Sequence, residues 1–157
     1  MVRLADLPEW EREHLLEKGR EAPRFMSRPW VRGAALDKRR VAIVTTSGVH
    51  RRGDRPFSLI PGTDYRVIPG GTGAGELVMS HISVNFDRSG FQEDVNVVFP
   101  IDRLKELARG GVIGSVADFH YAFMGAAWPP TRFEPKAREL AGLLKRDRVD
   151  AVLLTPV

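Results

Sequence analysis

The 157 residues contain no cysteine, which removes disulfides, thiolate metal sites and cysteine nucleophiles at once. No apolar run approaches the roughly 18 residues that a membrane span requires, so no membrane partner is expected. Asp6, Glu9, Glu11 and Glu13 fall where a secretory leader would carry its apolar stretch, which makes the cytoplasm the expected address. The histidines form no His-Glu-x-x-His or His-x-x-x-His run. The glycine-rich stretch from Pro69 to Gly75 lacks the Gly-Lys-Ser/Thr ending of a phosphate loop and reads as a flexible connector. Ser47-Gly48 follows an apolar run, yet the Gly-x-Ser-x-Gly elbow is missing because position 45 is threonine.

What is present is ordinary globular composition, 43% apolar and 28% charged, at a length that suits one domain with a real core. The net charge of +4 is mostly arginine. Its clusters, Lys38-Arg39-Arg40, Arg51-Arg52 and Lys145 to Arg148, each flank a strand or turn instead of forming a stripe. No nucleic-acid partner is therefore expected, while an anionic substrate or an acidic protein surface would suit the charge.

Asp6 and Pro8 mark the start of a helix that runs to about Lys18 and ends at Gly19. Its face of Leu7, Trp10, His14 and Leu15 is expected to dock on the body or on a second subunit, so a homo-oligomer is expected as one possibility. Residues 20–37 read as an irregular arm anchored by Phe25, Met26 and Trp30. Residues 1–39 thus form a helical arm, and residues 40–157 an α/β domain. Val41 to Thr46 is a β-branched run expected to be a central strand buried on both faces. Further strands are expected at Tyr65–Ile68, Leu77–His81 and in the apolar run Asp150–Val157. Helices are expected after Pro100, with Ile101, Leu104, Leu107 and Ala108 on one stripe, and from Pro135, with Ala137, Leu140, Leu143 and Leu144. A helix stripe leading directly into an apolar strand is half of a βαβ unit. The expected architecture is a Rossmann-like, doubly wound, mostly parallel three-layer sandwich in a single domain.

In such sheets ligands meet the carboxyl ends of the strands. His50 follows the first strand, His81 ends a later one, and His120 sits in an aromatic segment before Met124-Gly125. With parallel neighbours the three imidazoles would converge on one edge. There they could act as general acids and bases or, with Asp87 or Asp94, hold zinc or iron. Thr46, Ser47 and Gly48 are small enough to offer backbone N–H groups to a substrate carboxylate, and Asp87 and Asn96 are further substrate-side candidates. His14 reads as a packing residue. Alternatively, the domain is a small-molecule-binding module without catalysis.

Val41 to His50, Tyr65-Arg66-Val67-Ile68-Pro69, Ser80-His81, Asp94 to Leu104, Gly114-Ser115 and Phe123-Met124-Gly125 together resemble the selenoprotein B family of glycine, sarcosine, betaine and D-proline reductases. The likeness covers roughly residues 40–157. It implies an oxidoreductase that reductively cleaves the C–N bond of a small amine or amino acid, working with other reductase subunits. It further implies a selenocysteine, or cysteine, shortly after a strand of the Val152-Leu153-Leu154-Thr155-Pro156 kind. No cofactor is expected within these residues, and the sequence ends at Val157. Because selenocysteine is encoded by UGA, the resemblance implies that the natural frame continues, and that this chain alone is inactive.

Overall fold

The computed structural model describes residues 3–24, 26, 31–57, 60, 62–83, 86, 88–125 and 127–157. Strand β1 (Arg40–Thr45) is central, as its run of Val41, Ala42, Ile43 and Val44 requires. Two short strands lie along one side of it in parallel. Its first residues pair with Ser115–Val116, and its last with Phe119–Phe123. On the other side Ala151–Thr155 runs parallel to it from Val41 to Thr45. Tyr65–Pro69 closes the far edge, antiparallel to Phe119–Phe123. Val49–Arg51 and Leu77–Met79 form a separate antiparallel ribbon just beyond the end of β1. In chain order the remaining strands are β2 (Val49–Arg51), β3 (Tyr65–Pro69), β4 (Leu77–Met79), β5 (Ser115–Val116), β6 (Phe119–Phe123) and β7 (Ala151–Thr155). The helices are α1 (Glu9–Glu21), α2 (Ser89–Glu93), α3 (Ile101–Arg109) and α4 (Glu134–Arg146).

Alternation along the strands sends Ile43 and Ala122 to one face and Val44, Tyr121 and Phe123 to the other. On the first face Val41, Ile43 and Ile68 pack with Phe99 and with Ile101 and Leu104 of α3. Burying each of the last two is worth roughly 1.5–3 kcal/mol. On the second face Tyr121 and Phe123 pack against Leu140 of α4. The fold is thus mixed α/β, with a mostly parallel sheet and helices against both faces.

The arm departs from expectation. Helix α1 runs past Gly19 to Glu21 and buries none of its residues; Trp10 is 70% exposed. The apolar stripe is narrow and flanked by Glu11, Arg12, Glu13, Glu17 and Lys18, so water solvates most of the helix. It reaches the body at Trp128, whose indole N–H donates to Glu21 at 2.6 Å while Lys18 lies 4.5 Å from the ring centroid. Met26 is fully exposed and anchors nothing. Phe25 and Trp30 lie outside the described residues.

Candidate active-site edge

The carboxyl ends of β6, β1 and β7 share one edge, and the tip of β1 ties them together. Thr46 donates its N–H to the Thr155 carbonyl at 3.2 Å, and its hydroxyl accepts the Val157 N–H at 2.9 Å. Gly48 donates to the Phe123 carbonyl at 2.8 Å. The Ser47 N–H meets the Thr45 hydroxyl at 3.2 Å, and that hydroxyl also bonds Ser47 Oγ at 2.9 Å. The N–H groups of Thr46, Ser47 and Gly48, expected as a nest for a substrate carboxylate, are therefore each satisfied within the fold. These residues shape the edge by joining its strands. Two glycines permit the close approach. At Gly125, with φ of +80°, a Cβ would stand 2.8 Å from the Thr46 carbonyl, and at Gly48, with φ of +69°, it would stand 2.9 Å from the His81 nitrogen.

The three histidines do not converge. His50 lies within β2, whose partner β4 runs antiparallel to it outside the main sheet. The Val49–Arg51 strand owes its existence to that partner. His50 Nδ1 donates to the Arg51 carbonyl at 2.9 Å, which leaves Nε2 to accept the Ser80 hydroxyl at 2.7 Å. Ser80 in turn gives its N–H to the Gly48 carbonyl at 3.0 Å. His50 is thus an oriented, buried imidazole on the Ser80 hydroxyl, and the Ser80 backbone ties the pair to Gly48 just past β1. This is a base, an orienting carbonyl and a hydroxyl in line.

His81 lies directly against Gly48 at the edge. Its Nδ1 accepts the Ser83 N–H at 3.1 Å, so the neutral ring carries its proton on Nε2. Arg88 donates to its carbonyl, and Phe86 stands edge-on at 4.9 Å. Burial, helped by the charge of Arg88, lowers the His81 pKa below its ordinary value and favours the neutral base.

His120 occupies a different place, the interior of the sheet. Between β5 and β6 the register against β1 slips by two residues, from Val41 beside Val116 to Val44 beside Tyr121, while the Asp118 carbonyl accepts the Gly70 N–H of the neighbouring β3 side at 2.8 Å. Ile43 N–H of β1 would face a missing ladder partner there, but His120 Nδ1 accepts it at 2.9 Å. The ring stands in for a backbone carbonyl. It is fully buried against Phe99, and burial lowers its pKa to about 4.

Asn96 closes the start of α3. Its Oδ1 accepts the Asp102 N–H at 3.0 Å, a service that Pro100, having no side-chain oxygen, cannot give its own helix. Its own N–H and Nδ2 bond Asp94 Oδ1 at 2.9 and 2.8 Å, which holds that carboxyl below the usual range. Asp87 lies outside the described residues. Among the described residues no three His, Cys, Asp or Glu gather as a metal site. Sequence reasoning passed over Ser80 and Arg88. The pair Ser80-His81 carried the only signal, a hydroxyl beside an imidazole at a strand end.

A mostly parallel α/β sheet with its strand tips bound together beside two oriented histidines places the chain among the α/β proteins, a class whose ligands commonly meet the carboxyl ends of the strands. Within that class the chain belongs to the glycine/sarcosine/betaine reductase selenoprotein B family, which matches residues 29–157. It is 39% identical over 116 residues to D-proline reductase subunit gamma of Acetoanaerobium sticklandii, covering 73% of this chain and 47% of that protein. It is 40% identical over 70 residues to glycine reductase complex component B subunit gamma of Symbiobacterium thermophilum, covering 45% of this chain and 16% of the relative. It is 28% identical over 130 residues to betaine reductase complex component B subunit beta of Peptoclostridium acidaminophilum, covering 76% and 28%. The chain thus spans about half the length of the first relative and under a third of the other two. No solved structure matches it.

Proposed function

We propose that these residues form the amino-terminal part of a reductase-complex subunit that reductively cleaves the C–N bond of glycine, sarcosine, betaine or a D-proline-like substrate in the cytoplasm. The observation that carries this reading is the family match over residues 29–157, which includes every strand that builds the edge. The selenocysteine or cysteine expected beyond β7 would supply a soft nucleophile of low pKa. The residues described here would shape and serve the edge it faces. His81, kept neutral beside Gly48, holds a proton at Nε2 that it can donate, and His50 can relay one through the Ser80 hydroxyl. Thr46, Ser47 and Gly48 keep the tips of β1, β6 and β7 in register, so substrate would rest on side chains and not on their spent N–H groups. The same reading takes the fold as part of a doubly wound, three-layer sheet whose outermost strand would lie past β7.

Sequencing the DNA downstream of the Val157 codon tests it. The expected result is UGA followed by an open frame, with amine-dependent, dithiol-driven reduction by the read-through subunit in its complex and none by the 157-residue chain alone. An ordinary UAA or UAG stop, or thiol-dependent turnover by these 157 residues alone, would overturn it.

A further inference from the structure

Among the described residues strand β7 pairs with β1 on one side only, and its apolar residues are open: Val152 is 40% exposed, Leu153 38% and Leu154 68%. A long apolar edge left bare is costly in any finished sheet. Above it, on the α4 face, an apolar cleft of about 390 Å³ runs between Ala137 and Ala141 of α4 and Val44, Val152 and Leu154 of the sheet. The helix stands off the strand that follows it, leaving room for a further element.

Topology says which element. From β1 the chain passes through α3 to β5 and β6 on one side, with α3 on one face. It then crosses back through α4 to β7 on the opposite side, with α4 on the other face. Right-handed crossovers produce this alternation, because reversing the direction of travel across a sheet reverses the face that the helix covers. A right-handed unit leaving β7 outward continues the direction of the last move. Its helix must therefore lie on the α4 face, beside α4 and over β7, where the cleft is. The chain covers 47% of one relative and 28% of another, so proteins of this family are long enough to hold such a unit.

We infer that the α4–β7 cleft is the berth of the helix that follows β7 in the continuing chain, ahead of a strand pairing in parallel with the free edge of β7. This rests on the reading that the frame continues past Val157. The helix should present a single apolar stripe to Ala137, Ala141 and Leu154, which are small or exposed enough to receive it.

Hydrogen exchange followed by mass spectrometry tests the inference on two proteins: the 157-residue chain, and the chain extended through the downstream frame with a cysteine codon at UGA. Peptides covering β7 should exchange at least tenfold more slowly in the extended chain, while those covering β3, the opposite edge, stay unchanged. Ala141→Trp should abolish the added protection, yet leave the melting temperature of the 157-residue chain unaltered because Ala141 is exposed there. Equal exchange of β7 in both chains, or protection indifferent to Ala141→Trp, would overturn the berth while leaving the continuing frame intact. Absence of an open frame would instead defeat the underlying reading, and the berth with it. Concentration-dependent protection of β7 with a dimer in sedimentation of the 157-residue chain would assign the cleft to a second copy and overturn the inference.

Discussion

His120 shows how one side chain can replace a strand carbonyl, and its consequence is a pH dependence of stability. The folded protein holds the ring neutral down to about pH 4, whereas the unfolded chain protonates it near 6.5. Below 6.5 the unfolded state therefore binds more protons. Stability should be intact above pH 6.5, fall by up to about 3 kcal/mol as pH drops to 4, and level off below that. Urea unfolding at pH 7, 5.5 and 4.5 measures the slope. His120→Phe should remove most of it, leaving the share due to His81, and should cost about 1–3 kcal/mol at pH 7 because the Ile43 N–H loses its acceptor. At the edge, Gly48→Ala forces a methyl group within 2.9 Å of the His81 backbone at a φ of +69°. A loss of about 1–3 kcal/mol is expected, together with shifted His81 ring signals in 1H–15N spectra; an unmoved His81 would refute the contact.

Among elements, the break between β5 and β6 is held by a clamp at the opposite end of the sheet. Asp147, just past α4, accepts Arg40 Nη2 at 2.6 Å and the N–H groups of Asp118 and Phe119 at 2.9 and 3.2 Å. Arg40 reaches on to the Val116 carbonyl at 2.8 Å. The paired Asp147 carboxyl sits below its ordinary pKa despite the opposing cost of burial, the Arg40 guanidinium being its strongest favourable partner. Asp147→Ala should cost about 2–4 kcal/mol in urea denaturation, since it removes the more buried of the two carboxylates on the Arg40 guanidinium and strands two strand donors. Asp118→Ala, whose side chain is 75% exposed, should cost less than about 1 kcal/mol. This clamp and the register slip it braces were not legible in the sequence. The partners of Asp147 lie 107 residues away at Arg40 and 29 away at Asp118, and the acceptor for Ile43 lies 77 away. What was legible had local period: the β-branched run of β1, the stripes of α3 and α4, and the direct passage from α4 into β7. The strand holding His50 escaped notice because three residues carry no period of their own, and the convergence of three imidazoles assumed a parallel pairing that β2 and β4 do not make.

At the scale of the molecule, helix α1 and the body meet, among the described residues, chiefly at Trp128. Helix α1 buries nothing and lies outside the stretch that the family matches. A chain beginning at residue 31 should keep its unfolding free energy within about 1 kcal/mol, because an exposed hydrogen bond and one cation over an indole are all that the Trp128 contact loses. A larger drop in the urea midpoint would show that the arm supports the core. The body itself depends on distant parts of the chain. Thr45 and Thr155, tied at the shared edge, are 110 residues apart, so the most apolar strand is among the first pieces made and among the last to be completed. At roughly 5–20 residues per second of synthesis, β1 leaves the ribosome on the order of 5–20 s before β7 exists to cover it. For that interval the nascent chain is a natural client for chaperones.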